Sequence, residues 1–393
     1  MPHLSEIPPG RRPRATCVLA MEPGFSEDRP FRMKHLRLIA DDLAGALDTA
    51  AQFAGGGRKI RVYHGGALPA DVSGSVGLDA ATREATEQEA AATMARLSPM
   101  LAPDGGSLAY KKVDSWLRGH PGTELGTVLR AVTFDHCIIA PAFPAHGRIT
   151  RGGRQYLLSE GARTPVGEDI SAVLRAQGFP VTLRLPGEAV PEGISLWDAA
   201  TDLELGMIAK AGRLLKGSLL WCGCGGLAAA VAGTKPAESF PLSRPLLGVI
   251  GSDHPVTGAQ LEASSADVVR TSDGRTEIPR ILARLRDAGA CIVAFEVPRG
   301  ASRPDAAVRI ARAIDAVVRL VPRPASLVVS GGETARAVCL STGADHLEVE
   351  GELSPGIPVS RVVGGIWHGV RLVSKSGAFG DEMLLLRLTA LMS

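Results

Sequence analysis

A chain of 393 residues exceeds the roughly 250–300 at which a single hydrophobic core usually stops growing, so two domains are expected. Its 45% hydrophobic and 21% charged content is that of a globular protein, not a disordered one. A net charge of +2, from 43 basic and 41 acidic residues, leaves no nucleic-acid footprint, and no apolar run approaches the roughly 18–20 residues needed to span a bilayer.

Residues 1–32 are rich in proline and arginine and lack the apolar core of a secretory signal; they read as a disordered arm or a start codon placed too early. From Met33 onward short apolar runs alternate with helical stretches, the rhythm of an α/β architecture. Strands are expected at 36–40, 60–63, 75–79, 107–111 and 136–140, with helices at 45–54, 84–98 and 121–132. Proline and glycine crowd 141–193, which reads as loops. A strand at 194–198, a helix near 202–214, a strand at 218–221 and an alanine-rich helix from Gly226 complete a first domain, 33–233. Three prolines in 234–245 make that stretch an interdomain linker. The second domain, 246–393, has strands at 246–250 and near 291–295, 326–329, 361–363 and 370–374, separated by helices near 257–264, 278–288, 304–319 and 332–341.

The six cysteines, at 17, 137, 222, 224, 291 and 339, show no disulfide framework, which fits reduced thiols in a cytoplasmic protein. Cys222-Gly223-Cys224 lacks the second pair or the histidines that a zinc site wants, so core packing is the expectation there.

Acid, base and glycine fall together where the apolar runs stop. Asp41-Asp42-Leu43-Ala44-Gly45 follows the first strand, at the end where open α/β sheets bind ligands. Asp42 could bind a substrate hydroxyl or take its proton; one of the two aspartates could instead simply cap the next helix. Lys111-Lys112-Val113-Asp114-Ser115-Trp116-Leu117-Arg118 follows the strand at 107–111. Its cations can clamp a carboxylate, Arg118 bidentately and Lys112 as a point charge, against the bland reading of a solvated basic turn. Arg148 and Thr150, after Pro141-Ala142-Phe143-Pro144, could form a ligand-positioning pair on the same edge or serve the structure alone.

In the second half, Gly251-Ser252, Gly331-Gly332-Glu333-Thr334 and Lys375-Ser376-Gly377-Ala378-Phe379-Gly380-Asp381 are three strand–glycine–helix turns. Glycine there lets backbone N–H groups face a phosphate at a helix N-terminus. None fits the P-loop, and no G-x-G-x-x-G follows the first strand, so the pattern is a nucleotide pocket without either device.

At these residues the chain resembles the four-carbon acid sugar kinase family. That family carries an Asp-Asp-x-Thr-Gly turn, a Lys-x-Asp-Ser-Thr-x-Arg-Gly segment, Pro-Ala-Phe-Pro followed by Gly-Arg-x-Thr, a Gly-Gly-x-Thr turn and a terminal Lys-Ser-Gly-x-Phe-Gly. All five occur here in order between about 35 and 390. The resemblance implies an N-terminal α/β sugar-acid-binding domain, a C-terminal α/β nucleotide-binding domain, and ATP-dependent phosphorylation of the terminal hydroxyl of threonate, erythronate or a 3-oxo-tetronate. Asp42, Arg83, Lys111, Lys112, Asp114, Ser115, Arg118 and Arg148 would then face the acid, with Asp42 or Asp114 catalytic. Ser252, Gly331, Gly332, Glu333, Thr334, Gly377 and Gly380 would face ATP, with Mg2+ on its phosphates. The expected partners are a small sugar acid and ATP, with no nucleic acid and no membrane; a homo-oligomer is left open. Ala44 and Trp116 stand where the family has threonines, and His120 where an asparagine is usual. All three lie on the acid side, which leaves the identity of the acid open. It also motivates an alternative, a non-catalytic ligand-binding or regulatory protein on the same scaffold.

Overall fold

The computed structural model describes residues 33–66, 68–159, 162–233, 238–296, 300 and 302–390. The expectations for 1–32 and for the first part of the linker, 234–237, lie outside the described residues. Strands β1 (His35–Ala40), β2 (Ile60–Tyr63), β3 (Val76–Asp79), β4 (Ser107–Lys112) and β5 (His136–Ala140) fall where the apolar runs place them. They are followed by β6 (Arg148–Arg151), β7 (Arg154–Ser159), β8 (Ala162–Pro165), β9 (Val181–Arg184), β10 (Gly193–Trp197) and β11 (Leu219–Gly223). The second half has β12 (Leu246–Ile250), β13 (Val268–Thr271), β14 (Ala290–Phe295), β15 (Ser326–Ser330), β16 (His346–Ser354), β17 (Ile357–Val363) and β18 (Arg371–Lys375).

The helices of the first half are α1 (Leu43–Phe53), α2 (Glu87–Leu97), α3 (Pro121–Ala131), α4 (Ile170–Ala176), α5 (Asp202–Arg213) and α6 (Gly225–Ala232). Those of the second are α7 (Pro255–Ala263), α8 (Ile278–Asp287), α9 (Arg303–Leu320), α10 (Gly332–Thr342) and α11 (Leu384–Ala390). Their starts are chemically marked. Asp42 caps α1 by accepting from Gly45 N at 2.8 Å, and α2 and α5 open on capping boxes, Thr86 with Glu89 and Thr201 with Glu204. No helix of the described residues is long and apolar enough to cross a membrane.

Among the described residues fifteen strands form one sheet in the order β13-β14-β12-β15-β18-β17-β16-β2-β3-β1-β4-β11-β5-β10-β9. The strands from β2 to β9 in that order run parallel, as do those from β13 to β18. Parallel strands buried on both faces explain the continuous apolar runs. The hairpin β16–β17 joins the two parallel blocks, pairing antiparallel with β18 on one side and β2 on the other. β16, His-Leu-Glu-Val-Glu-Gly-Glu-Leu-Ser, lies outside the apolar runs; it alternates buried Leu347, Val349 and Gly351 with glutamates, the period-2 pattern of a half-buried strand.

The loops expected across 141–193 also contain more structure than their composition shows. β6, β7 and β8 form a separate antiparallel sheet, and α4 and β9 follow. The described part of the linker is packed rather than free: Phe240 and Leu242 are buried against apolar residues of the second half. The five described cysteines are free and buried, Cys224 donating to Pro141 O and Ala142 O.

Candidate active site

In each parallel block the strand order reverses beside its first strand, between β3 and β4 around β1 and between β14 and β15 around β12. Crevices at the C-terminal ends of such strands are where open α/β sheets hold ligands. Asp42 follows β1, Arg83 follows β3 and Asp114 follows β4; Ser252 follows β12, Gly331 follows β15 and Gly377 follows β18. All six line a single cavity of about 980 Å³ that both halves share.

On the side of the first half, three carboxylates surround one buried guanidinium. Arg83 ion-pairs with Asp41, with Asp42 at 3.0 Å and with Asp114 at 3.4 Å. Arg118 grips Asp114 bidentately, Nε to Oδ2 at 2.8 Å and Nη2 to Oδ1 at 3.0 Å. Burial works to raise the pKa of Asp114, but the charge of Arg83 and the bonds and charge of Arg118 overcome it and hold the carboxyl well below the usual carboxylate range. Asp114 is therefore ionised, with both oxygens taken. Lys112 differs: its Nζ donates to Val113 O at 2.8 Å and makes no ion pair among the described residues. It faces the cavity 3.1 Å from the point where a Cβ on Gly45 would lie, a point 2.6 Å from Asp42 Oδ1.

Asp42 stands at the junction of the halves. A Cβ on Gly332 would lie 2.8 Å from Asp42 Oδ2 and 3.3 Å from Ala44 N, so only glycine at 332 lets the start of α10 approach this carboxylate. The N-terminal ends of α1 and α10 thus both point their partial positive charge at Asp42.

On the side of the second half, Gly331 takes φ of 106° to turn β15 into α10, and Thr334 Oγ1 sits 3.1 Å from where its Cβ would be. Gly377 is glycine because a side chain would strike Ser252 Oγ. Lys375, which the sequence reading left without a role, closes this side. It is 2% exposed, and its Nζ meets Ser330 Oγ at 3.0 Å, Thr257 Oγ1 at 3.2 Å and Gly377 O at 3.3 Å. Among the described residues it has no carboxylate partner, and burial pushes its pKa down to about 7.

Lys112, Ser115, Arg118, Gly332, Glu333 and Thr334 also line the cavity; Lys111, Arg148 and Gly380 do not. Successive strand residues point to opposite faces, so Lys111 turns away from Lys112 and ion-pairs with buried Glu124 at 2.7 Å. Arg148 stacks its guanidinium 4.6 Å over the Trp116 ring and supports that indole, which itself borders the cavity. Gly380 supplies a positive φ of 82° where Leu384 leaves no room for a side chain. The clamp expected of Arg118 is closed on Asp114, which leaves Lys112 as the cation of this wall with no ion pair among the described residues. His120 stands at the N-terminal boundary of α3 without a side-chain cap; its ring Nε2 bonds Ala85 O, away from the cavity.

Residues 36–183 match the family model described as a sugar-binding N-terminal domain, and 247–385 the one described as a nucleotide-binding C-terminal domain. A D-threonate kinase of Cupriavidus necator is 30% identical, covering 88% of this chain and 95% of its own. A D-erythronate kinase of Heliobacterium modesticaldum is 27% identical over 89% and 95%, and a 3-oxo-tetronate kinase of Methylobacterium radiotolerans 27% over 88% and 96%. A crystal structure from Haemophilus influenzae shares the fold, with a TM-score of 0.64 at 20% identity, covering 88% of this chain and 97% of its own.

Proposed function

This chain belongs to the four-carbon acid sugar kinase family, and from that premise we propose that it transfers the γ-phosphoryl group of ATP to the terminal hydroxyl of a tetronate or 3-oxo-tetronate. One observation carries the reading: a carboxylate of the first half, Asp42, lies against the glycine turn of the second, Gly332, inside one shared cavity. The acid lies along the Asp42–Lys112 wall and the nucleotide phosphates along the turns at 331–334 and 375–377. Lys112 takes the acid's carboxylate as a point charge, and Trp116, backed by Arg148, sets the width of this end.

In the transfer, the hydroxyl oxygen bonds to the γ-phosphorus while the bond from that phosphorus to the β-bridging oxygen breaks. The hydroxyl proton passes to Asp42, and the departing charge stays on ADP. Lys375 and the first amides of α10 face the transferring group and offset its charge. Asp114 does not serve as base, because both of its oxygens are committed to arginines; it holds Arg83 and Arg118 in place. Among the described residues no group of three or more His, Cys, Asp or Glu side chains could hold a metal ion. Mg2+ on a nucleotide needs only one or two protein carboxylates beside the phosphates, and no step here runs through it.

The alternative of a non-catalytic ligand-binding protein is disfavoured by the placing of Asp42, which a mere binding site does not need. Incubation with ATP, magnesium and a panel of threonate, erythronate and 3-oxo-tetronate stereoisomers tests the proposal: ADP is expected with at least one acid. ADP release with none, in a folded protein, would overturn it.

A smaller test addresses the junction. Gly332→Ala places a methyl 2.8 Å from Asp42 Oδ2, closer than a carbon–oxygen contact allows, and must displace that carboxylate. We expect kcat to fall roughly tenfold, since small misplacements of a reacting group are costly, with little change in Tm. Unchanged kcat would mean that the close approach at 332 plays no part in catalysis.

A further inference from the structure

Every residue of α1 is buried, and its sequence, Leu-Ala-Gly-Ala-Leu-Asp-Thr-Ala-Ala-Gln-Phe, carries one charged residue, Asp48, near its centre. Asp48 is 6% exposed and borders the shared cavity. Its Oδ1 is sealed from solvent and has no hydrogen-bond partner among the described residues. Its Oδ2 is packed against the start of α6: a Cβ on Gly225 would lie 2.6 Å from that oxygen and 3.1 Å from the Phe143 ring. A buried carboxyl left unsatisfied costs about 1–3 kcal/mol or more, so such a group on a cavity wall is a site awaiting a donor.

We infer that Asp48, which the catalytic account above does not use, is a specificity residue that accepts a hydrogen bond from a secondary hydroxyl of the sugar acid. The inference rests on the kinase reading. Asp42 takes the terminal hydroxyl at the junction; Asp48, one and a half turns further along α1, meets a different part of the same short chain. Lys112 is the charge nearest in kind to a partner: its attraction favours the ionised carboxylate, the form that accepts from a hydroxyl. A site built to bond a hydroxyl rejects the analogue lacking it, because the carboxylate is then left unpaired.

Titration supports the geometry. Burial pushes the pKa of Asp48 up to about 7, Lys112 draws it down, and Glu352 on β16 and Asp42 add to the rise. Tyr110 on β4 and Cys224 at the start of α6 also face it, both held neutral by burial, which pushes the Cys224 thiol up to about 11. A hydroxyl donated to Asp48 favours the ionised form, so acid binding releases a proton and weakens as pH falls below about 7.

The test compares wild type with Asp48→Asn, which keeps the shape but not the charge. Substrates are the tetronate identified by the panel and its 2-deoxy and 3-deoxy analogues, both of which retain the terminal hydroxyl. Wild type should lose at least about tenfold in kcat/KM on one analogue. D48N should show a comparable rise in KM on the full tetronate, little further loss on that analogue, and ATP affinity within a few-fold of wild type. Equal losses on all three substrates would make the role of Asp48 structural and overturn the inference. If D48N does not fold, calorimetry of tetronate binding to wild type at pH 6.5, in two buffers of different ionisation enthalpy, decides: proton release is expected, and none would overturn it. Wild-type turnover with unchanged D48N kinetics sinks this inference and leaves the kinase reading standing, whereas no wild-type turnover on any acid removes both.

Discussion

Asp42→Asn is expected to lower kcat by roughly 10²–10⁴, the usual scale for losing a positioned general base, while ATP affinity stays within a few-fold of wild type. The expectation follows from how the two oxygens are used. Oδ1 accepts from Gly45 N and faces Arg83, and these contacts fix the carboxylate; Oδ2 is aimed at the start of α10, where the two halves meet. Asparagine retains the cap and the shape, so fold and nucleotide binding survive while the proton acceptor is lost. Asp114→Asn should behave differently. It leaves Arg83 and Arg118 short of a counter-charge, so it should lower Tm and raise KM for the acid before it touches the chemical step. Steady-state kinetics of both variants separate the roles; a D42N enzyme with near-normal kcat would hand the base to another group.

Lys375→Met should weaken ATP binding on the order of 10²-fold, the scale of a charge-assisted hydrogen bond lost from a buried site. The amine is buried among hydroxyls and a carbonyl, with no carboxylate partner among the described residues, and in the proposed site phosphate is its counter-ion. The sign of the pH effect is fixed by the depressed pKa of about 7. The ammonium is the form that binds phosphate; below pH 7 it is already present, and above pH 7 ATP binding must draw a proton onto it. Affinity should therefore fall as pH rises through 7–9 in wild type and stay flat in K375M. Fluorescence or calorimetric titration of ATP across that range checks both. A wild-type affinity independent of pH, together with an unimpaired K375M, would remove Lys375 from the phosphate site.

Much of this was legible in the sequence because it is local. A strand, a polar or glycine turn and a helix start all lie within a dozen residues, so the turns at 41–45, 112–118 and 331–334 could be placed on strand ends before any contact was known. Part of what escaped was set by distant partners and part by the conformation of a single turn. β16 carries a readable alternation of Leu, Val and Gly with glutamate, but only its pairing with β2 and β17 shows that it joins the halves. Arg118 looked like a free clamp, but its partner is Asp114, four residues away and held in place by the turn itself. The Lys111–Lys112 pair was partly readable: strand alternation forbids both from facing one cavity. Asp48 had a signal too, the one charged residue in a helix that is mostly apolar, a pattern that calls for a partner. Lys375 could be seen in its motif, but not that hydroxyls rather than carboxylates would surround it.

The central claim is that one cavity brings an acid held by the first half to a nucleotide held by the second. A crystal structure with the preferred acid and a non-hydrolysable ATP analogue tests it most directly. The account predicts phosphates against the turns at 331–334 and 375–377, with Lys375 bonded to a phosphate oxygen. It predicts the acid against Lys112 and Asp48, its terminal hydroxyl within hydrogen-bond reach of Asp42. Nucleotide bound against Asp42 and Arg118, with nothing near Gly331 or Gly377, would contradict it and exchange the roles of the two halves.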